Sequence, residues 1–230
     1  MGILIDALSI VTGSLLGSKS QSKTRKINHS VLAIAILIVS LVGFLENIYS
    51  VQGNKIDSAH LLVVLFSFIA GSIIGDYLHI DEKLNSLSKT SDKRFNAFID
   101  STIFFSVGGL QISGPVLLVL NNNSSQLVLK GFIDFPFAIA FGATYGTISS
   151  LSALPVAIMQ VIIALITYLF AGFLSPEMTA QLCAMGYIIL FFSGYNLIIP
   201  SQSKINNINM LPGILIIVLY NLVINVMEKI

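Results

Sequence analysis

The sequence predicts an all-α polytopic membrane protein, with about eight transmembrane helices in a single integral domain spanning residues 1–230. Three observations carry this. Charged residues make up only 10% of the 230 and hydrophobic residues 55%, whereas a soluble domain carries about 25% charged residues. The apolar runs recur at about 20 residues each, enough to cross a hydrocarbon core of roughly 30 Å. They are continuous rather than alternating, which excludes a transmembrane barrel. The bilayer is therefore the first partner. A formal net charge of +1 leaves no basic face to neutralise phosphates and argues against a nucleic-acid partner.

Eight apolar segments follow one another at about 2–17, 31–49, 60–78, 97–120, 131–151, 154–174, 178–199 and 210–227. The first is not a secretory signal. Such signals carry their positive charge before the apolar run, and here Lys19, Lys23, Arg25 and Lys26 come after it. Asp6 also breaks the myristoylation pattern that Met1-Gly2 would open. A second basic linker holds Lys83, Lys89, Lys93 and Arg94. The positive-inside rule makes both linkers cytoplasmic. The expectation is a bacterial cytoplasmic (inner) membrane protein with its N-terminus outside and, after eight crossings, its C-terminus outside as well. Lys130 then falls on the outer side.

Segment four is unusual. Ser106, Gly108, Gly109, Gln111, Ser113, Gly114 and Pro115 crowd its middle. Proline removes a backbone donor and glycine loosens the helix, and backbone groups freed at that depth must face protein or a water-filled cavity. The pattern predicts a discontinuous helix that lines a site; the plainer reading is a kink serving packing. Ser149–Pro155 reads as a tight turn, with Pro155 in the first turn of segment six.

Two halves, 1–120 and 127–230, share features in the same order, which suggests two parallel four-helix repeats. Asp6 precedes Gly13 and Gly17; Asp134 precedes Gly142 and Gly146. Gly71 and Gly75 precede Asp76 at the end of segment three, and Asn196 ends segment seven. Small residues spaced by four let helices approach closely. These glycines are assigned to helix packing, with Gly13/Gly17 and Gly142/Gly146 as candidate faces for a homo-oligomer.

The run from Ile133-Asp134 through Ala143-Thr144-Tyr145-Gly146 and Ser152-Ala153-Leu154-Pro155-Val156 to Gln160 resembles the YdfK/YqgA-like family of bacterial inner-membrane proteins. That family is classed as a domain of unknown function. The resemblance extends over essentially the whole chain, through Met1-Gly2, Gly71, Gly75-Asp76, Gly108, Gly114, Met178-Thr179-Ala180, Gly186, Asn196, Asn209 and Leu211-Pro212. The resemblance implies Asn at position 6 and Glu at 76 in most members, where this chain has Asp. It implies no substrate.

Charges inside a membrane are costly and mark function by default. Asp6 and Asp134 are read as lining an outward entrance, where they attract cations or exchange a proton. The plainer readings are a shallow, water-reaching Asp6 and an Asp134 paired with Lys130 one turn away. Gln160 joins them along a path through the broken fourth segment, and Asp76 and Asn196 form its inner end. Simple interhelical hydrogen bonding accounts equally for the two amides. His29, His60 and His79 share no ligand spacing, so neither metal nor cofactor is expected. Cys183 reads as a small core residue. No nucleophile arrangement or phosphate loop is present, and the chain is not expected to be an enzyme. The expected function is a small secondary transporter or channel for a small solute or ion. The alternative is a membrane-embedded sensor or regulatory scaffold acting through basic cytoplasmic loops.

Overall fold

The computed structural model describes residues 1–19, 29–52, 55–86, 91–106, 109–199 and 205–227. Lys23, Arg25, Lys26, Lys89 and Gly108 lie outside these residues. The described chain is almost wholly helical. In order it forms α1 (Gly2–Lys19), α2 (His29–Ile48), a hairpin of β1 (Ser50–Gln52) and β2 (Lys55–Asp57), α3 (Ala59–Tyr77) and the short α4 (Ile80–Ser86). Then come α5 (Lys93–Ser106), α6 (Gly109–Leu120), α7 (Ser125–Tyr145), α8 (Ala153–Leu169), α9 (Pro176–Ile198) and α10 (Pro212–Met227). Five helical stretches among the described residues are long and apolar enough to cross a membrane, or six if the bent pair α5–α6 counts as one. One stretch, Ser125–Leu169, has 45 residues. At about 1.5 Å per residue that is more than twice the hydrocarbon thickness. It divides into α7 and α8 at a tight 3-10 turn, Gly146–Ser152, with Pro155 in the first turn of α8 as its sequence predicts.

Helix α1 buries a single stripe: Gly2, Asp6, Ile10, Gly13, Ser14 and Gly17. The spacing keeps these residues on one face of a 3.6-residue helix, and most of them are small. That face lies against α7, which runs parallel to it. Gly2 meets Ser124 and Leu127, Gly13 meets Phe135 and Ala138, and Gly17 meets Ile139 and Ala143. A Cβ on Gly17 would come within 2.0 Å of the Ile139 carbonyl oxygen, and one on Gly142 within 2.0 Å of the Ser14 oxygen. The glycine faces expected to join copies of the chain are thus spent inside it. Gly146 ends α7 at φ 77°, a left-handed backbone that suits glycine.

Helix α7 begins at Ser125, about six residues before its sequence boundary. The Asn123 side-chain oxygen accepts from the Ser125 N–H at 2.9 Å and supports the turn. The polar residues Gln126 and Lys130, which read as an outer linker, are taken into the helix, Gln126 half-buried and Lys130 buried. In the fourth segment the α5 and α6 axes differ by 57°. The change of direction precedes Gly109, and Pro115 sits inside the regular α6. Gly109 packs directly on Gly186 of α9, an approach that only two glycines permit.

The remaining helices pack through the same device. Helix α2 is antiparallel to α9, with Gly194 against Ala33 and Ile36, and Gly43 under the Tyr187 ring. Helix α3 is antiparallel to α10, with Gly71 on Gly213 and Gly75 on Asn209. Helix α9 is the most enclosed; Cys183, Ala184 and Met185 are wholly buried. Ser175 caps it, accepting from the Met178 N–H at 3.1 Å with Pro176 in the first turn.

Candidate functional site

Parallel packing of α1 on α7 carries Asp6 to the level of Lys130. The ammonium donates to Asp6 Oδ2 at 3.0 Å and also to Asp134 Oδ2, its neighbour one helical turn on. From α8, the Gln160 amide nitrogen donates to Asp6 Oδ2 at 2.6 Å and to Gln111 Oε1 at 3.0 Å. Gln111, on α6, donates in turn to the Val156 carbonyl at 3.1 Å. Four helices therefore meet in one polar network. The network is buried: Asp6, Gln111 and Gln160 are 0% exposed, Lys130 4% and Asp134 7%.

This changes the reading of both acids. Asp6 is sealed among α1, α7 and α8 rather than reaching water. Asp134 does pair with Lys130, but within the bundle and in company with Asp6. Burying charges costs several kcal/mol each unless the partners are close and hydrogen-bonded; the bridging ammonium meets that condition for both carboxylates. Among the described residues, two acceptors in this network have no hydrogen-bond partner, Asp6 Oδ1 and Gln160 Oε1.

A cavity of about 420 Å³ reaches this centre. Its inner end is formed by Gln111, Lys130 and Asp134, and it extends along α7 to Tyr145, with Asp100, Asn196 and Asn207 also lining it. The distance from Asp134 to Tyr145 is eleven residues of helix, about 16 Å. One wall is aromatic. The Phe104 ring lies 5.1 Å from Phe137 and 4.9 Å from Phe141, and Phe141 lies 5.6 Å from Tyr145. Tyr145 is 39% exposed and its hydroxyl is 3.5 Å from Asp100 Oδ2. This wetter end is where the C-termini of α1 and α7 lie.

The other expected site residues divide. Asn196 lines the cavity and also holds the chain at Ile205, donating to its carbonyl at 2.7 Å and accepting from its N–H at 2.9 Å. Asp76 belongs to a separate cluster: Asn209 donates to Asp76 at 2.6 Å and to Asp81 at 3.1 Å. Ser113 and Gly114 are buried in α6 with Pro115, and Gly114 is filled by Leu127 rather than by the cavity. Ser106 is half-buried at the end of α5. In the sequence Lys130 stands out only as a neighbour of Asp134, one helical turn away. The signal for more was present in the matched positions of Asp6 and Asp134, since one cation between two parallel helices can serve both. The phenylalanine wall gave no such signal, because aromatic residues in apolar helices are ordinary.

Together these features define a multi-pass helical membrane protein with an enclosed Asp–Lys–Asp centre at the end of a cavity. The chain belongs to the family described as a protein of unknown function (DUF554), whose profile it matches over residues 1–222. It is 23% identical over 219 residues to the "Uncharacterized membrane protein YdfK" of Bacillus subtilis (strain 168), covering 94% of this chain and 93% of the relative. It is 24% identical over 230 residues to the "Uncharacterized protein YqgA" of Escherichia coli (strain K12), covering 94% of each. No solved structure matches.

Proposed function

We propose that this protein is a small secondary transporter or channel for a small solute or ion in the bacterial cytoplasmic membrane. It would have eight crossings, with α5–α6 as one broken crossing and the N-terminus outside. The observation that supports this is the cavity that ends on Lys130, Asp134 and Gln111. A path needs three things in one place: space, polar groups at depth, and a helix whose break lets it move. Gln111, on the second limb of the broken pair, belongs to both the cavity and the buried network. On the positive-inside reading the Tyr145 end faces the cytoplasm, so the cavity is open inward. Outward, the close contact of α1 with α7 around Gly2, Leu127 and Gly131 closes it.

The rival reading, a sensor or scaffold that moves nothing, requires a dry, packed interior; a cavity of this size on charged groups weighs against it. The test begins with thermal melting of the purified protein against a broad panel of ions and metabolites, since a ligand that binds only the native state raises the midpoint. Any stabilising compound is then followed into proteoliposomes. Saturable uptake that Asp134→Asn abolishes, with folded protein undiminished, supports transport. Uptake unchanged by that substitution, or no stabilisation across the panel, rejects it.

A further inference from the structure

The charges around the cavity are unequal. Asp100 lies toward the wetter end, Lys130 and Asp134 form the inner end, and Asp6 is bound to the far side of the same ammonium. That is three carboxylates to one cation. With all groups ionised, Asp6, Lys130 and Asp134 sum to one buried negative charge, which is costly while it lacks a partner. Hydrogen-bond capacity is unequal in the same sense. The Gln160 amide nitrogen is committed to both Asp6 and Gln111, which fixes the amide's orientation and leaves its oxygen facing no donor. Asp6 Oδ1 is in the same position. Asp6 and Gln160 do not line the cavity, so what a positive guest would offset is the net charge, presented to the cavity through Lys130 and Asp134.

The walls restrict that guest further. A bare divalent cation needs six to eight oxygen ligands or an octahedral set, and the described residues contain no group of three or more His, Cys, Asp or Glu able to hold one. The mutually tilted rings of Phe104, Phe137 and Phe141 offer apolar surface and π systems instead, and a cation within about 6 Å of the face of such a ring is attracted to it. The volume, about 420 Å³, is that of a small-molecule site.

Resting on the transport reading above, we propose that the cargo is an organic monocation with an apolar or aromatic body, an amine or quaternary ammonium, held between Asp134 and the Phe104–Phe137–Phe141 wall. Its charge makes good the deficit left by Lys130, and its body fills the apolar length of the cavity. A carboxylate or a zwitterion would leave that deficit in place.

Four probes of similar size separate the classes: benzyltrimethylammonium, benzyl alcohol, phenylacetate and phenylalanine. Each is tested for saturable binding to the detergent-purified protein and, separately, for flux in proteoliposomes. Benzyltrimethylammonium alone is expected to bind saturably at one per chain and to raise the melting midpoint. Asp134→Asn should weaken it by about tenfold or more, the loss of one charge-assisted contact. Asp134→Glu should restore most of the affinity, and Phe141→Leu should weaken binding several-fold when measured well below its own melting midpoint. Preferential binding of phenylacetate or phenylalanine, equal response to all four, or cation binding indifferent to both Asp134→Asn and Phe141→Leu would overturn the proposal. Asp134-dependent cation binding without flux keeps the cation site and removes transport. Flux of phenylacetate or phenylalanine keeps transport and removes the cation.

Discussion

Lys130 has three N–H donors and gives one each to Asp6 and Asp134, so two buried carboxylates depend on one ammonium. Lys130→Met leaves both carboxylates in the interior without it, and breaking a buried pair in this way costs about 3–5 kcal/mol. Asp6→Asn acts in the opposite sense. The new amide oxygen can accept from Lys130 and Gln160 as Oδ2 does, its NH₂ replaces an acceptor that has no partner, and the remaining pair is neutral. That variant should melt within about 1 kcal/mol of the native protein. Adding Asp6→Asn to Lys130→Met should recover part of the loss, because one stranded carboxylate remains instead of two. Thermal midpoints of the three purified variants check the order; a Lys130→Met midpoint equal to that of Asp6→Asn would remove the bridging role. The acids were visible in the sequence because charge inside an apolar run is rare. Their meeting was not, since the two are separated by most of the chain and only the pairing of α1 with α7 brings them together.

Among the elements, glycine decides where helices touch. On α1 and α7 the backbones approach until a Cβ at Gly142 would lie 2.0 Å from the Ser14 carbonyl oxygen, and no side-chain movement relieves a clash with main chain. Gly142→Ala should therefore cost more than the 1–3 kcal/mol typical of overpacking a core, read as a lower midpoint and less folded protein. Gly172, in the turn between α8 and α9, has no atom within 4 Å of the same added Cβ. Gly172→Ala should stay within about 0.5 kcal/mol of the native protein. The spacing of four residues announced Gly13 and Gly17 as a contact face, but not the face they meet. Whether such a stripe packs inside a chain or between chains depends on which helix is nearest, and spacing along one helix does not encode that. The boundary of α7 was hidden for a related reason: Gln126 and Lys130 look like linker residues until their partners, Tyr187 at 2.9 Å and Asp6, are in view.

For the whole molecule, the direction of α7 constrains how the chain crosses the bilayer. Helices α1 and α7 run parallel, so an odd number of crossings must separate them. On the topology proposed above, helices α2 and α3, joined by the β1–β2 hairpin, supply two. The bent pair α5–α6 must then make one complete crossing; if it turned back to the side it came from, α7 would oppose α1. Cysteine labelling decides between these. Replacing Cys183 is unnecessary, because it is wholly buried and should not react with an aqueous maleimide. Asn121→Cys, in the exposed turn after α6, and Ser91→Cys, exposed just before α5, place one thiol at each end of the broken pair. A membrane-impermeant maleimide applied to intact cells should label Asn121→Cys and should reach Ser91→Cys only after the membrane is permeabilised. Gly172→Cys, between α8 and α9, should behave like Asn121→Cys. Labelling of positions 91 and 121 from the same side would make α5–α6 a re-entrant loop, and the path proposed through Gln111 would then open on one face of the membrane alone.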